Sequence, residues 1–279
     1  MRKLFSGKAL FALIVLFSLL PTTASQAQQQ KTSASQQSQK LRVLFIGNSY
    51  TYYNNLPQLL AGLAASAKPA RVLETEMLTV GGATLKRLWD SGQAQQALAR
   101  GKWDYVVLQE QSTLGMSKAV DGIPQINDPA EFHAAARIYD AEIKKQGAKP
   151  LFYMTWARQN NPASQPQLTE AYTKIGKELN DTVAPVGLAW QAALKARPDF
   201  GLHVADKSHP NPAGSYLAAC VFYATLYGQS PEGLAERING ALVEEGKVSE
   251  KQGELVNLSK EEAAFLQQIA WETVRQLRK

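Results

Sequence analysis

The sequence predicts an α/β fold, a three-layer αβα sandwich around a parallel five-stranded β-sheet. The first observation is that segments with strand character alternate with segments of helical periodicity along the chain. The second is that the strand segments are mostly apolar runs, which are typical of parallel strands covered by helices on both faces. Ligands of such sheets bind at the carboxyl ends of the strands. We therefore expect the functional residues in the loops that follow the strands.

Five segments have the length and apolar content of strands, namely 41–46, 72–80, 105–108, 150–155 and 183–188. Periodicity and helix start or stop signals predict helices at 56–67, 84–99, 130–146, 167–179, 190–196, 212–227, 231–242 and 259–277. The last of these begins with a capping box, Ser259-Lys260-Glu261-Glu262. Segment 109–128 has no regular pattern, and loops of this length in compact domains are usually functional or mobile.

The beginning of the chain differs in composition from the rest. Residues 1–27 have the layout of a secretory signal peptide, with a basic head, an apolar run over 9–20 and small residues that end at Ala27. A retained anchor is the alternative, but an apolar run of about 12 residues is shorter than the ~20 that a spanning helix needs. Residues 28–40 hold almost no large apolar side chain, which predicts a disordered linker. We expect a periplasmic or secreted protein, without stable membrane insertion after cleavage, whose single globular domain covers 41–279.

The charge of the chain does not indicate a nucleic-acid partner. The formal net charge of +6 falls to +3 once residues 1–27 are removed, because they carry three basic residues and no acidic one. The remaining charges are interspersed without a basic stripe, so binding of nucleic acid is not expected. The sequence shows no cluster with metal-ligand spacing and no phosphate-binding glycine loop, so we expect neither a metal nor a cofactor. Cys220, the only cysteine, lies in an apolar helical stretch and is expected in the core.

One serine, one histidine and one aspartate are candidates for nucleophilic chemistry. Ser49 follows the first strand and a glycine, where its hydroxyl could lie exposed at the next turn. A serine hydroxyl needs a base to take its proton, and that base works best when a carboxylate fixes its tautomer. His209 lies in a proline-stiffened loop with Asp206 three residues upstream, whereas His133 and His203 fit structural positions better. Taken alone, the serine also fits a turn or a helix cap, and the Asp–His segment fits a capping loop.

Four blocks in order along the chain resemble the SGNH (GDSL-like) hydrolases, and more closely an uncharacterised bacterial secreted branch of that superfamily. The blocks are 45–51 with Gly47-Asn48-Ser49, 81–85 with two glycines, 103–112, and 206–217 with Asp206-x-x-His209. One block alone is weak, whereas four in the right order on the right elements are fairly specific. The resemblance covers about 41–226. It implies a flavodoxin-like three-layer fold and hydrolysis of esters, thioesters or occasionally amides without a metal.

The resemblance also implies a role for each matching residue. Ser49 would be the nucleophile, His209 the base and Asp206 the acid that orients it. The backbone N–H groups of Ser49 and Gly82 would donate to the oxyanion. The family's third donor is an asparagine, and Gln111 stands at its place in this chain.

The chain departs from the family pattern at two positions, Asn48 and Gln111. Asn48 replaces the usual acidic residue before the serine, which changes loop hydrogen bonding more than mechanism. Gln111 is one methylene longer than asparagine, and loss of an oxyanion donor typically costs about 2.7–4 kcal/mol of transition-state stabilisation. Gln109 is the reserve candidate for this donor. Glu110 could be structural, could accept a hydrogen bond behind the site, or could face the substrate.

Gln109, Trp156 and Arg158 are the candidate substrate contacts. An aromatic face suits a sugar ring and an arginine suits a carboxylate, although both residues could equally pack or lie on the surface. The leading hypothesis is an exported esterase or deacylase that cleaves an acyl or acetyl ester of a small molecule or a glycan. The alternative is a catalytically weak or inactive glycan-binding protein of the SGNH fold, which the unusual third block favours. A lipase is a third possibility, although the sequence shows no extended apolar lid segment.

Overall fold

The structure is a computed structural model that describes residues 40–116 and 118–278. The predicted signal peptide, and the predicted linker except for its last residue, lie outside the described residues. Within the described part of the chain, no helix combines the length and the apolar character needed to cross a membrane.

The strands, in chain order, are β1 (Leu41–Gly47), β2 (Leu73–Thr79), β3 (Tyr105–Leu108), β4 (Lys118–Val120), β5 (Ile123–Gln125), β6 (Lys149–Tyr153), β7 (Thr182–Ala184), β8 (Arg237–Glu244) and β9 (Lys247–Asn257). The α-helices are α1 (Ser49–Tyr52), α2 (Leu56–Ser66), α3 (Leu85–Asp90), α4 (Gln93–Ala99), α5 (Ala130–Lys145), α6 (Gln165–Leu179), α7 (Val186–Ala196), α8 (Pro212–Tyr227) and α9 (Lys260–Leu277). Short 3₁₀ turns at Tyr53–Asn55 and Pro162–Ser164 precede α2 and α6.

Five of the strands form the parallel sheet that the sequence predicts. Their order is β2-β1-β3-β6-β7, and every neighbouring pair is parallel. This is the flavodoxin-like order, in which the direction of strand addition reverses between β1 and β3. The crevice beyond the carboxyl ends of those two strands is where such sheets bind ligands. The loops that begin at Asn48 and at Gln109 therefore meet at this crevice.

Helices cover both faces of the sheet, and β1 shows why. Val43 and Phe45 belong to the core on one face, together with α2, α7, α8 and α9. Leu44 and Ile46 belong to the core on the other face, together with α3, α4, α5 and α6. All four side chains are fully buried, because successive residues of a strand point to opposite faces and both faces are covered here. The predicted three-layer sandwich is confirmed.

Most predicted elements are confirmed to within a few residues, including the capping box, in which Ser259 and Glu262 each accept from the other's backbone N–H. The predicted helix over 84–99 is two helices, because Gly92 adopts a left-handed φ of +75° between them. The predicted strand over 183–188 is only three residues long, and α7 already begins at Val186.

The predicted helix over 231–242 is wrong. The chain instead forms β8, which pairs with β9 as an antiparallel hairpin outside the main sheet. Ile238 and Leu242 both pack on the core, and residues four apart can share a face in a helix and in a strand alike. The apolar spacing therefore did not distinguish the two structures. A second hairpin, β4–β5, occupies part of the predicted irregular segment 109–128.

Candidate active site

Ser49 lies at the carboxyl end of β1, where it is the first residue of the short helix α1. Asn48 caps this helix in extended conformation, and its side-chain Oδ1 accepts from the Tyr50 N–H at 3.1 Å. Such a cap supplies an acceptor for a backbone N–H that the first turn leaves unpaired. The strand and the cap together fix the backbone position of Ser49. The residue is 8% exposed.

A continuous chain of hydrogen bonds links Ser49 to His209 and Asp206. Ser49 Oγ lies 2.8 Å from His209 Nε2, and His209 Nδ1 lies 2.5 Å from Asp206 Oδ2. A carboxylate oxygen only accepts, so Nδ1 carries the proton that it donates to Asp206 and Nε2 is left as an acceptor. In this tautomer the imidazole can take the Ser49 hydroxyl proton, which is the arrangement that activates a serine. The structure therefore brings together three residues that are up to 160 positions apart in sequence.

The Asp206 carboxylate is held by the loop that carries it. Its second oxygen accepts the backbone N–H groups of Ser208 at 2.8 Å and His209 at 2.9 Å. Partial burial raises the pKa of Asp206, but the hydrogen bonds from the His209 side chain and from these two N–H groups outweigh it and lower the pKa below its usual value. The carboxylate is consequently ionised at neutral pH, the state that keeps the proton of His209 on Nδ1.

Aromatic rings fix the plane of the His209 imidazole. Tyr53 stacks on it with ring centroids 4.3 Å apart and an interplanar angle of 10°, and Tyr50 meets it edge-on at 5.6 Å. The Tyr50 hydroxyl and Ser208 Oγ share a hydrogen bond of 2.8 Å, and Trp156 Nε1 donates to the Ser208 carbonyl at 3.0 Å. The loop that bears the histidine is thus tied to the residue next to Ser49 and to the end of β6. The sequence contains no local signal for these contacts, because they join segments far apart along the chain.

Gln109 anchors the serine loop and does not face the substrate, so both of its predicted roles are wrong. It is fully buried, and Oε1 accepts from the Asn48 N–H at 2.9 Å and from Thr51 Oγ1 at 3.0 Å. Its Nε2 donates to Asn48 Oδ1 at 2.9 Å and to the Glu110 carbonyl at 2.5 Å. Both ends of the amide are therefore used inside the protein, and neither is available to an oxyanion.

Gly47 makes room for this anchor, which leads to a testable prediction. A Cβ at Gly47 would lie 2.5 Å from Gln109 Oε1, far inside contact distance. Gly47→Ala is expected to push the amide off Asn48 and to lower the free energy of unfolding by about 1–3 kcal/mol, the usual cost of overpacking. Urea unfolding measures this. Gly201→Ala is the matched control, because a Cβ there meets nothing within 4 Å; an equal loss in both variants would contradict the role of Gly47.

The two remaining oxyanion candidates lie in the loops after β2 and β3. Gly82 is exposed in a tight turn closed by the Ala83 N–H and the Val80 carbonyl, and it has a left-handed φ of +66°. A turn of this kind selects glycine at that position. The side-chain Oε1 of Gln111 accepts from the Thr113 N–H at 2.5 Å and from Thr113 Oγ1 at 2.7 Å. The carbonyl end of the amide therefore points towards Thr113.

The Glu110 side chain forms hydrogen bonds to the backbone of both of these loops. It is 1% exposed, and its two oxygens accept from the Gln111 N–H at 2.6 Å and from the Leu85 N–H at 3.1 Å. Burial raises the pKa of Glu110 from 4.5 to about 7; the two backbone hydrogen bonds lower it in part, and the charge of Glu131 raises it further. Of the roles left open by the sequence, the structure excludes the substrate-facing one, because the carboxyl group is buried and faces the backbone.

Trp156 belongs to the core, and the prediction that it offers a face to a sugar is wrong. It is fully buried, and its ring stacks on Tyr50 at 4.4 Å and on Trp190 at 3.9 Å between centroids. Arg158 remains at the rim of the site, where Nη2 donates to Ser112 Oγ at 3.0 Å. Its part-buried guanidinium also lowers the pKa of the Tyr50 hydroxyl, whose pKa is raised overall by burial.

The other reactive side chains have structural positions, as the sequence suggests. His133 is buried on α5, with Nε2 2.8 Å from the Ala171 carbonyl. His203 packs edge-on against Trp190, and burial lowers its pKa to about 4. Cys220 is fully buried. Across 40–116 and 118–278, no three His, Cys, Asp or Glu side chains are grouped as metal ligands would be.

The fold is that of the SGNH hydrolases. A proposed SGNH hydrolase from Slackia heliotrinireducens is 26% identical, with a TM-score of 0.53 over 67% of this chain and 100% of its own. A DUF4886 family protein from Bacteroides uniformis is 17% identical, with a TM-score of 0.63 over 86% of this chain and 97% of its own. A catalytic mutant of Axe2, an acetylxylan esterase from Geobacillus stearothermophilus, is 18% identical, with a TM-score of 0.53 over 66% and 94%.

Catalytic mutants of Axe2 replace an aspartate and a histidine that lie three positions apart in that enzyme. No family model matches the present sequence, and no curated protein is significantly similar to it.

Proposed function

We propose that this protein is a serine hydrolase that cleaves acyl or acetyl esters through Ser49, His209 and Asp206. The observation that carries the proposal is the hydrogen-bond chain from Ser49 Oγ to His209 Nε2 and from Nδ1 to Asp206. The likeness to SGNH hydrolases and to acetylxylan esterases supports it, and Axe2 has catalytic residues with the same Asp-x-x-His spacing.

The mechanism follows from the tautomer of His209. As Ser49 Oγ attacks the ester carbonyl, Nε2 takes the hydroxyl proton, and Asp206 stabilises the imidazolium that forms. Nε2 then gives this proton to the leaving alcohol oxygen, which leaves an acyl group on Ser49. A water molecule, deprotonated by Nε2, releases the acid and restores the serine.

The negative charge on the carbonyl oxygen needs donors that are already in place. We propose the backbone N–H groups of Ser49 and Gly82 and the Nε2 of Gln111 for this role. Ser49 is the first residue of α1, where backbone N–H groups have no acceptor within the helix. Glu110 supports the other two, because it holds the backbone of both loops.

The substrate we propose is an ester on a small molecule or a carbohydrate that the protein meets after export. The signal-peptide pattern of residues 1–27 supports export to the periplasm or beyond. The acetylxylan esterases among the structural relatives support an acetylated glycan.

Labelling by a fluorophosphonate tests the proposal, because this probe reacts with activated serines. We expect the protein to be labelled at Ser49, as located by peptide mass spectrometry, and to hydrolyse p-nitrophenyl acetate above background. Ser49→Ala should abolish both signals. Ser230→Ala is the control, since Ser230 lies beyond the far end of α8 from His209 and should behave as wild type. A wild-type protein that is neither labelled nor active would overturn the proposal and would favour a binding protein of the same fold.

A further inference from the structure

A cavity of about 370 Å³ borders the proposed active site. Its walls come from the segment after Ser49 and from the turn between β8 and β9, and they are Tyr52, Tyr53, Asn54, Val243, Glu245 and Gly246. The volume lies within the range of small-molecule sites, ~300–1,000 Å³. These residues are distinct from the reacting groups, so the cavity could hold a part of the substrate that does not react.

Two tyrosines connect the cavity to the reacting groups. Tyr53 stacks on the His209 ring, and Tyr52 stacks on Tyr53 with centroids 5.7 Å apart and an angle of 23°. Tyr52 also reaches the loop after β2 that carries Gly82. Its hydroxyl would lie 3.5 Å from a Cβ atom added to Gly81. The alcohol half of an ester leaves from the histidine side, because Nε2 must protonate its oxygen. A group attached to that oxygen is therefore directed towards the two tyrosines.

The hairpin turn that closes the cavity has an unusual residue at its tip. Glu245 and Gly246 both have positive φ, +51° and +77°, as in a two-residue type I′ turn. Such turns strongly prefer asparagine, aspartate or glycine at the first position, because other side chains are strained there. Backbone strain of this kind often lies at functional sites. Here the strained residue, Glu245, is exposed and lines the cavity.

From these observations we infer that the cavity is a binding subsite for a sugar residue that carries the scissile ester. The inference rests on the proposed function. The aromatic rings of Tyr52 and Tyr53 offer a flat apolar surface to the C–H face of a pyranose. The Glu245 carboxylate accepts hydrogen bonds from sugar hydroxyl groups, and a charged acceptor makes these bonds stronger than neutral ones. The cavity thus offers an aromatic surface for the C–H face of a sugar and a carboxylate for its hydroxyl groups.

The inference is tested by comparing kcat/KM for acetylated sugars with kcat/KM for an acetate ester that has no sugar. We would measure kcat/KM for peracetylated disaccharides of xylose, glucose and N-acetylglucosamine, and for p-nitrophenyl acetate, which has no sugar. Tyr52→Ala and Glu245→Asn are each expected to lower the ratio of the best sugar ester to p-nitrophenyl acetate about tenfold. Glu245→Asn guards against misfolding, because asparagine favours this turn. Tyr105→Ala is the matched control, because Tyr105 is the first residue of β3 and lies at the end of the strands opposite the site; it should leave the ratio unchanged.

Binding of xylotetraose, followed by saturation-transfer NMR, separates the subsite from the hydrolase proposal. Transfer to the sugar in the wild type that is lost in both variants supports the subsite, even if no ester is cleaved. If p-nitrophenyl acetate is hydrolysed but the rate ratio is the same in wild type and both variants, the subsite is overturned and the hydrolase stands. If neither ester is hydrolysed and no transfer is seen, both proposals fail.

Discussion

Replacement of Asp206 by asparagine is expected to lower turnover about ten-thousandfold while the protein stays folded. The reason lies in the two backbone N–H groups, of Ser208 and His209, that donate to one oxygen of the carboxylate. The amide oxygen of the asparagine must take that place, since an NH₂ group cannot accept. Its NH₂ group then faces His209 Nδ1 and donates to it, which forces the imidazole proton onto Nε2. In that tautomer the ring can no longer accept the Ser49 proton.

Steady-state hydrolysis of p-nitrophenyl acetate and the rate of fluorophosphonate labelling both measure this effect. Asp199→Asn is a suitable control, because it removes the same charge from an exposed loop position and should keep wild-type turnover. Thermal unfolding shows whether Asp206→Asn remains folded, as we expect for a side chain that is 45% exposed. A tenfold loss or less would mean that Asp206 does not set the tautomer, and the proposed mechanism would need another acid.

The fold could be predicted from the sequence because its main signals are local. The apolar run of β1 and the Asn211-Pro212 start signal of α8 are both local, and both elements lie where predicted. The sequence does not predict the β8–β9 hairpin, because the four-residue spacing of Ile238 and Leu242 fits a helix as well as a strand. The signal that could have identified it is the Glu245-Gly246 pair between two segments of strand length, although Glu245 is an unusual residue for such a turn.

The residues of the candidate site can likewise be predicted where their signal is local, and not where their role depends on contacts between distant segments. Ser49, His209 and Asp206 could be singled out because their chemistry is specific and because the order of the blocks resembles a known family. The role of Gln109 could not, because it depends on which way a buried amide points after β3. The place of Trp156 cannot be predicted for a related reason. An aromatic residue at a strand end suits a ligand or the core, and only the positions of Tyr50 and Trp190 decide between them.

Glu110 is expected to make the stability of the protein depend on pH in a direction opposite to that of most carboxylates. In the folded state burial raises its pKa from 4.5 to about 7. Below pH 4.5 the group is protonated in both the folded and the unfolded state and costs nothing. As the pH rises through this window, the unfolded chain releases the proton while the folded protein retains it or bears a buried charge. The free energy of unfolding therefore falls by about 3 kcal/mol between pH 4.5 and pH 8 on account of this residue.

Urea unfolding of the wild type and of Glu110→Gln, between pH 4.5 and pH 8, isolates this effect. The variant does not titrate at this position, so the wild type should lose about 3 kcal/mol relative to it across the range. Glu131→Gln is the control for a carboxylate nearby, because Glu131 is exposed and only adds to the shift through its charge; it should alter the slope little. Parallel curves for wild type and Glu110→Gln would show that the carboxyl group keeps an ordinary pKa.

The same substitution should also reduce turnover, and the reason distinguishes Glu110 from a purely structural residue. A glutamine has one oxygen for two backbone donors, so either the Gln111 N–H or the Leu85 N–H loses its acceptor. One of the two oxyanion loops is then released while the fold persists. Because ionisation of Glu110 strengthens both hydrogen bonds, kcat of the wild type should rise as the pH passes through about 7. In Glu110→Gln the part of that rise due to the carboxyl group should disappear, so an identical pH profile in both proteins would exclude Glu110 from positioning the oxyanion loops.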